Sequence, residues 1–158
     1  RRFFDGAPAE SWRGWLHCTM PQLCRNGTLP QLLPELMQVP TVGTARCGSG
    51  LVTALVTLVK AALESSADAA NVVEKFIVVS GTTLPIKRFA EVYRVLMARV
   101  ESDLCLTSES MWPRLKLEPK RYAYLPKASQ WVVLSRQDAE VLARRWVPPE
   151  DVRMGDWL

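Results

Sequence analysis

The sequence lacks the motifs of several large enzyme classes. It holds a single histidine, His17, and no G-x-S-x-G segment, so a serine–histidine hydrolase has little support. There is no G-x-x-x-x-G-K-[ST] phosphate loop and no G-x-G-x-x-G dinucleotide fingerprint. A D-x-D pair, which would offer carboxylates to a divalent metal beside a nucleotide sugar, is absent too. These absences argue against hydrolase, P-loop and dinucleotide-dependent chemistry.

Long apolar runs and zinc-type cysteine spacings are also missing. The longest apolar stretch, residues 51–63, includes Thr53, Thr57 and Lys60, so it is too short and too polar to cross a bilayer. None of the 4 cysteines forms a C-x-x-C pair, which argues against a zinc site. Reduced core thiols and one or two disulfides both stay open.

The overall composition is that of one folded domain. A chain of 158 residues that is 48% hydrophobic can bury a sizeable core, so we expect a single domain over residues 1–158. Its formal net charge of +4 permits an anionic ligand without requiring nucleic acid.

Strand and helix patterns alternate along the chain, which predicts an α/β fold with a mostly parallel sheet flanked by helices. Strands are predicted at residues 15–18, 75–79 and 131–134, with further possible strands at 39–42 and 103–106. Helices are predicted at residues 50–64, 89–100 and 136–146, and one helical turn at 32–37. Residues 107–128 are predicted to be an irregular loop. The uninterrupted run at 75–79 predicts a strand covered on both faces, and Ser135 and Asp138 form a capping-box pattern.

Two glycine-containing segments have the chemistry of ligand loops. The segment S-G-T-T-L-P at residues 80–85 follows a predicted strand, and ligands of α/β sheets bind at the carboxyl ends of strands. Gly48-Ser49-Gly50 opens a predicted helix and could direct backbone N–H groups toward a phosphate. An ordinary helix entry is the alternative for the second segment, and a satisfied strand-end histidine is the interpretation that we favour for His17.

The segment RLKLEPKRYAYLPK, residues 114–127, interleaves basic residues with Tyr122 and Tyr124. Such interleaving can serve single-stranded nucleic acid, but a solvated loop is the more common case, and we expect no nucleic-acid partner. The residues that follow are more informative. Gln130 can donate to and accept from a sugar hydroxyl, and Trp131 can stack on a pyranose ring. A tryptophan in the core is the alternative.

Three stretches carry a family pattern: VPTVGTARCGSGLVTALVTLVKAAL, FIVVSGTTLPIKRFAEVY and KASQWVVLSRQDAEVL. Together they resemble the core-2/I-branching β-1,6-N-acetylglucosaminyltransferase family, glycosyltransferase family 14, with its plant-type relatives. The opening FFDGAPAESWRGWLHC is similar to the family's early segment. The most specific part is the ordered pair S-G-x-x-x-P-[IL]-K and Q-W-x-x-L-S-R. Order and approximate spacing agree over nearly the whole chain.

The resemblance implies a GT-A-type α/β domain. Its implied reaction is inverting, metal-independent transfer of a sugar, with GlcNAc expected, from a UDP-sugar to a hydroxyl of a glycan acceptor. No cofactor is expected. The implied location is the Golgi lumen, in a type II membrane protein whose anchoring helix is not in this chain. The alternatives are a non-catalytic carbohydrate-binding pseudoenzyme and a basic nucleic-acid-binding module.

The resemblance also suggests roles for particular residues. Donor-binding residues are expected to be Thr44, Gly48, Ser49, Ser80, Gly81, Thr82 and Thr83. Acceptor-binding residues are expected to be Lys127, Gln130 and Trp131, and no metal ligands are expected. Ser135 and Arg136 are expected to fix a strand–helix junction. Glu150 is a candidate catalytic carboxylate, although it follows the L-S-R helix more closely than in the family, and a helix-terminating turn is the alternative. We therefore expect the amino-terminal portion of such a domain, without its first strand and its catalytic carboxyl end.

Overall fold

The computed structural model describes residues 2–25, 36–44, 50–66, 72–80, 85–112, 114–118, 121–124 and 131–147. The described strands are β1 (Gly14–Leu16), β2 (Leu36–Gln38), β3 (Lys75–Ile77), β4 (Arg114–Glu118), β5 (Arg121–Tyr124) and β6 (Val133–Ser135). The described helices are α1 (Pro21–Arg25), α2 (Gly50–Ser65), α3 (Phe89–Met97) and α4 (Arg136–Arg145). The chain therefore mixes helices and strands, in agreement with the coarse α/β prediction.

The described strands pair in three two-stranded sheets. β1 pairs with β2 in parallel, whereas β3 pairs with β6 and β4 pairs with β5 in antiparallel fashion. A mostly parallel sheet is therefore not seen among the described residues. Apolar runs identify strands, but they carry no information about the direction of the partner strand.

The core lies where α2 and α4 pack on the β3–β6 pair. Its buried members form one cluster made of Val59, Ala62, Phe76, Leu134 and Ala139. The two alanines lie on the two helices, and their short side chains let the helix backbones come close to each other and to the sheet. Trp15 and Leu55 are among the half-buried residues packed on this cluster, so β1 joins the same core.

The prediction of a strand covered on both faces at residues 75–79 is wrong. β3 ends at Ile77, and Ile77 is 50% and Val79 63% exposed. Only the face that carries Phe76 is buried. β-branched residues favour extended backbone whether one face or both faces are covered, so their run did not distinguish the two cases.

Two further predictions of local structure need correction. Residues 36–38 form strand β2, not the end of a helical turn, and the backbone N–H of Val39 continues the ladder with a bond to the Leu16 carbonyl (2.9 Å). The predicted irregular loop at 107–128 contains the β4–β5 hairpin instead. The two strands of that hairpin pair residue by residue, and the charge-rich sequence did not indicate this pairing.

The helix predictions are confirmed at their main positions. α2 covers the predicted 50–64 range, and α3 begins at the predicted Phe89. The Phe89 ring contacts Phe3 and Phe4, with ring centroids 5.7 and 5.8 Å apart, and Phe4 stacks on Trp12 at 3.8 Å. These rings attach α3 to the amino-terminal segment. Among the described residues, no helix has both the length and the apolar character needed to cross a membrane.

Candidate functional site

The parallel pair β1–β2 ends in two polar segments that lie side by side. Residues 17–19 follow β1 and residues 41–44 lie just beyond β2; we call these two segments the β1–β2 edge. The register Leu16↔Gln38 brings the carboxyl ends of both strands together. In α/β proteins this is the end of a parallel pair where ligands bind.

Three side-chain hydrogen bonds join the two segments of the β1–β2 edge. The backbone N–H of Val42 donates to His17 Nε2 (3.1 Å), and Thr41 Oγ1 donates to the Cys18 carbonyl (3.0 Å). The hydroxyls of Thr19 and Thr44 lie 2.9 Å apart. Nε2 of His17 accepts a bond, so the neutral ring carries its proton on Nδ1. His17 is thus the satisfied strand-end histidine that the sequence suggested.

A disulfide and a helix start add to the order of this edge. Cys18 and Cys24 are disulfide-bonded with their Cα atoms 6.3 Å apart, while Cys105 is a free, exposed thiol. α2 begins at Gly50, where an added Cβ would collide with the Gly43 carbonyl oxygen and come within 3.2 Å of Thr44 Cα. The start of a long helix is therefore packed against the loop that carries Thr44. The first N–H groups of such a helix have no partner within the helix and favour anions.

Two other predicted site residues meet at one end of the β3–β6 pair. The register Ile77↔Val133 continues through a bond from the Val78 N–H to the Val132 carbonyl (3.0 Å). The chain leaving β3 toward Ser80 therefore lies beside the chain that approaches β6 from Trp131. Trp131 is 44% exposed, so it is not the core tryptophan of the alternative interpretation.

Ser135 and Arg136 hold the strand–helix junction, as predicted. Ser135 Oγ accepts from the Asp138 N–H (3.2 Å) and donates to Asp138 Oδ2 (3.0 Å). Arg136 forms an ion pair with Glu140 (2.9 Å) and donates to Ser66 Oγ (3.1 Å). These contacts fix the position of α4 relative to the end of α2.

A third residue, Ser102, completes the network around the Asp138 carboxylate. Its hydroxyl donates to Asp138 and accepts from the Ser135 N–H (2.8 Å). Hydrogen bonds from Ser102 and Ser135 lower the pKa of Asp138, Lys75 lowers it further, and desolvation opposes them. The pKa of Asp138 in the folded protein lies below its ordinary value, so the network stabilises the fold at pH values above the ordinary pKa. This stabilisation is lost as the pH falls through the lowered pKa.

The remaining predicted site residues lie outside the described part of the chain. They are Gly48, Ser49, Gly81, Thr82, Thr83, Lys127, Gln130 and Glu150. Thr44, Ser80 and Trp131 are the three whose surroundings can be stated. Among the residues that the structure describes, no group of three or more histidine, cysteine, aspartate and glutamate side chains could hold a metal ion.

Sequence reasoning missed Thr19, whose hydroxyl takes part in the hydrogen bonds of the β1–β2 edge. Its signal was the position of a hydroxyl shortly after a strand of a parallel pair. That signal was hidden because the partner strand was predicted at 39–42, whereas β2 covers residues 36–38.

Comparison with known proteins adds no relative: no family model, no curated protein and no solved structure matches this chain.

Proposed function

We propose that this chain is a glycosyltransferase domain that binds a UDP-sugar and passes the sugar to a hydroxyl of a glycan acceptor. The donor is UDP-GlcNAc, transfer proceeds with inversion and without a metal, and the domain is of the GT-A type with a mostly parallel sheet. The protein acts in the Golgi lumen as a type II membrane protein. The resemblance of three ordered stretches to the core-2/I-branching family supplies this reaction.

The observation that carries the proposal is the β1–β2 edge. Hydroxyls of Thr19, Thr41 and Thr44 and the imidazole of His17 are gathered at the carboxyl ends of two parallel strands, next to the start of α2. A uridine diphosphate needs hydrogen-bond partners for its base and ribose, and backbone donors or positive charge for its phosphates. A helix start beside a hydroxyl-lined loop offers both kinds of partner.

The chemistry assigns distinct tasks to parts of the site. A carboxylate removes the proton of the acceptor hydroxyl as its oxygen attacks the anomeric carbon. Negative charge then grows on the departing UDP and must be stabilised by lysine, arginine or backbone donors when no metal takes part. Glu150 is the candidate base, and the start of α2 is the candidate group facing the phosphates.

Ser80 and Trp131 fit the second half of the reaction. They lie at one end of the β3–β6 pair, so a donor sugar bordered by the segment 80–83 would adjoin an acceptor sugar stacked on Trp131. Transfer requires these two sugars to be in contact, with the reacting atoms about 3–3.5 Å apart. The proximity of the two segments supports their assignment to donor and acceptor.

Thr44→Val is expected to weaken UDP binding about fivefold, because one neutral hydrogen bond contributes about 0.5–1.5 kcal/mol. The measurement is a calorimetric titration with UDP and UDP-GlcNAc, each in EDTA, with ADP as the comparison nucleotide. Thr57→Val is the matched control, since the Thr57 hydroxyl donates to the Thr53 carbonyl within α2 (2.8 Å). This control is expected to leave the affinity for UDP unchanged.

Three results would count against the proposal. Equal losses in Thr44→Val and Thr57→Val would mean that the β1–β2 edge does not hold the nucleotide. Equal affinity for ADP and UDP would remove the assignment of a uridine donor. UDP-sugar binding without sugar transfer to any glycan acceptor would favour the carbohydrate-binding pseudoenzyme.

A further inference from the structure

One face of the β4–β5 hairpin gathers two cations and an aromatic ring. The register pairs Lys116 with Tyr122, and cross-strand partners share a face of the sheet. The Arg114 guanidinium carbon lies 3.4 Å from the centroid of the Tyr122 ring. Arg114 and Lys116 are exposed, and Tyr122 is 43% exposed. We call these three residues the hairpin face.

The net positive charge of the chain corresponds to this part of the sequence. Residues 114–127 contain five basic residues and one glutamate, so their formal charge equals the +4 of the entire chain. The rest of the chain is therefore neutral on balance. A local excess of positive charge in the sequence favours an anionic ligand at this part of the chain.

The stacked arginine is arranged to bind an oxyanion. A guanidinium that lies flat on an aromatic ring keeps its N–H groups in its own plane, where they can reach a carboxylate or sulfate with two parallel hydrogen bonds. Stacking also limits the rotamers of Arg114 before a ligand arrives, so less entropy is lost on binding. Lys116 lies two residues along the same strand, about 7 Å away, and can meet a second anionic group.

We propose that the hairpin face binds an acidic glycan, carboxylated or sulfated, and that this glycan is the acceptor of the transfer proposed above. The role of the glycan as acceptor rests on the proposed function, but binding of the glycan to the hairpin face does not depend on it. The hairpin ends at Tyr124, shortly before the predicted acceptor residues Lys127, Gln130 and Trp131 in the chain. An acidic acceptor would thus be held by its charged groups at the hairpin while another of its sugars stacks on Trp131.

The same observations favour a glycan over single-stranded nucleic acid. Proteins that bind single strands combine a long basic groove with several rings on which successive bases stack. Here the net excess of positive charge lies in one short segment, while the charges of the remaining residues balance, and Arg114 already covers one side of the Tyr122 ring. This arrangement suits a ligand with a few separated oxyanions.

The test measures binding of the full chain to four probes in the absence of any nucleotide. They are a hexasaccharide with a carboxylate on every sugar, one with a sulfate on every sugar, a neutral hexasaccharide, and a heptathymidylate whose six phosphates match the charge of the acidic glycans. One or both acidic hexasaccharides are expected to bind at least tenfold more tightly than the neutral one, and more tightly than the heptathymidylate. The comparison between carboxylate and sulfate identifies the preferred oxyanion.

Two variants place this binding on the hairpin face. Arg114→Lys keeps the charge but loses the planar fork, and it is expected to weaken acidic glycan binding about tenfold, which corresponds to the loss of one charge-assisted hydrogen bond. Lys116→Ala is expected to weaken it about fivefold. Lys60→Ala removes the same charge from an exposed position on α2 and is expected to change the affinity less than twofold.

The proposal is overturned if neither acidic hexasaccharide binds, if the heptathymidylate binds more tightly, or if Lys60→Ala and Lys116→Ala have equal effects. Glycan binding that persists while UDP binding fails would support the hairpin site and count against the proposed enzyme. The reverse result would retain the enzyme and remove the hairpin site.

Discussion

Phe76→Ala is expected to lower the free energy of unfolding by about 3–5 kcal/mol, a large share of the stability of an ordinary domain. The ring is 7% exposed and lies in the buried cluster shared by β3, β6 and the two long helices. Alanine would leave a cavity between elements that are distant in sequence, so they cannot close it by a local shift. Urea denaturation measures the change.

Ile77→Ala is the matched control because it removes a large apolar side chain from the neighbouring position of the same strand. Ile77 is half exposed and points away from the cluster, so we expect a loss below about 1 kcal/mol. Equal losses at the two positions would mean that β3 is covered on both faces, as the sequence pattern predicted. The pair of variants therefore decides directly how this strand is packed.

Gly50→Ala is expected to destabilise the fold by about 1–3 kcal/mol and to weaken UDP binding at least tenfold. Alanine is ordinarily the better residue in a helix, by up to about 1 kcal/mol, so intrinsic propensity predicts the opposite sign. The added Cβ would collide with the Gly43 carbonyl oxygen, which belongs to the backbone and cannot rotate away. The loop that carries Thr44 must then move, and the β1–β2 edge with it. Denaturation and a calorimetric titration with UDP measure the two effects.

Gly43→Ala is the control for the stability effect. An added Cβ at Gly43 meets no atom of the described residues within 4 Å, so this substitution is expected to leave the free energy of unfolding nearly unchanged. A Gly50→Ala chain as stable as the parent would show that α2 does not start against this loop. The proposal that the start of α2 positions the β1–β2 edge would then be contradicted.

The elements that the sequence predicted well are those fixed by local rules. α2 has a long apolar pattern, and α4 has a serine cap with an acidic partner three residues on, so both helices are determined largely by their own residues. The direction of strand pairing was not predictable in the same way. β3 and β6 are far apart in sequence, and the same β-branched residues suit a parallel or an antiparallel neighbour.

The hairpin β4–β5 shows a different reason for failure. Its alternation of charged and apolar residues is a strand pattern, but the polar, proline-containing and basic character of residues 107–128 favoured a loop interpretation. The contact between Arg114 and Tyr122 stabilises a face that alternation alone does not reveal. Cross-strand neighbours become visible only once the register is known.

The candidate site was predictable in part for a related reason. Thr44 came from the family resemblance, and its environment at a strand end agrees with a ligand loop. Thr19 belongs to the same edge but was missed, because its role depends on β1 and β2 being parallel neighbours. The ends of two strands come together only when the strands pair, and this pairing cannot be predicted from each segment alone.

The most direct test of the donor site is photolabelling of the chain with a photoreactive UDP analogue in EDTA, followed by mass spectrometry of the labelled peptides. We expect labelling within residues 17–19 or 41–50 that excess UDP suppresses and excess ADP does not. Labelling confined to the β4–β5 hairpin, or labelling that UDP fails to suppress, would contradict a uridine nucleotide site at the β1–β2 edge.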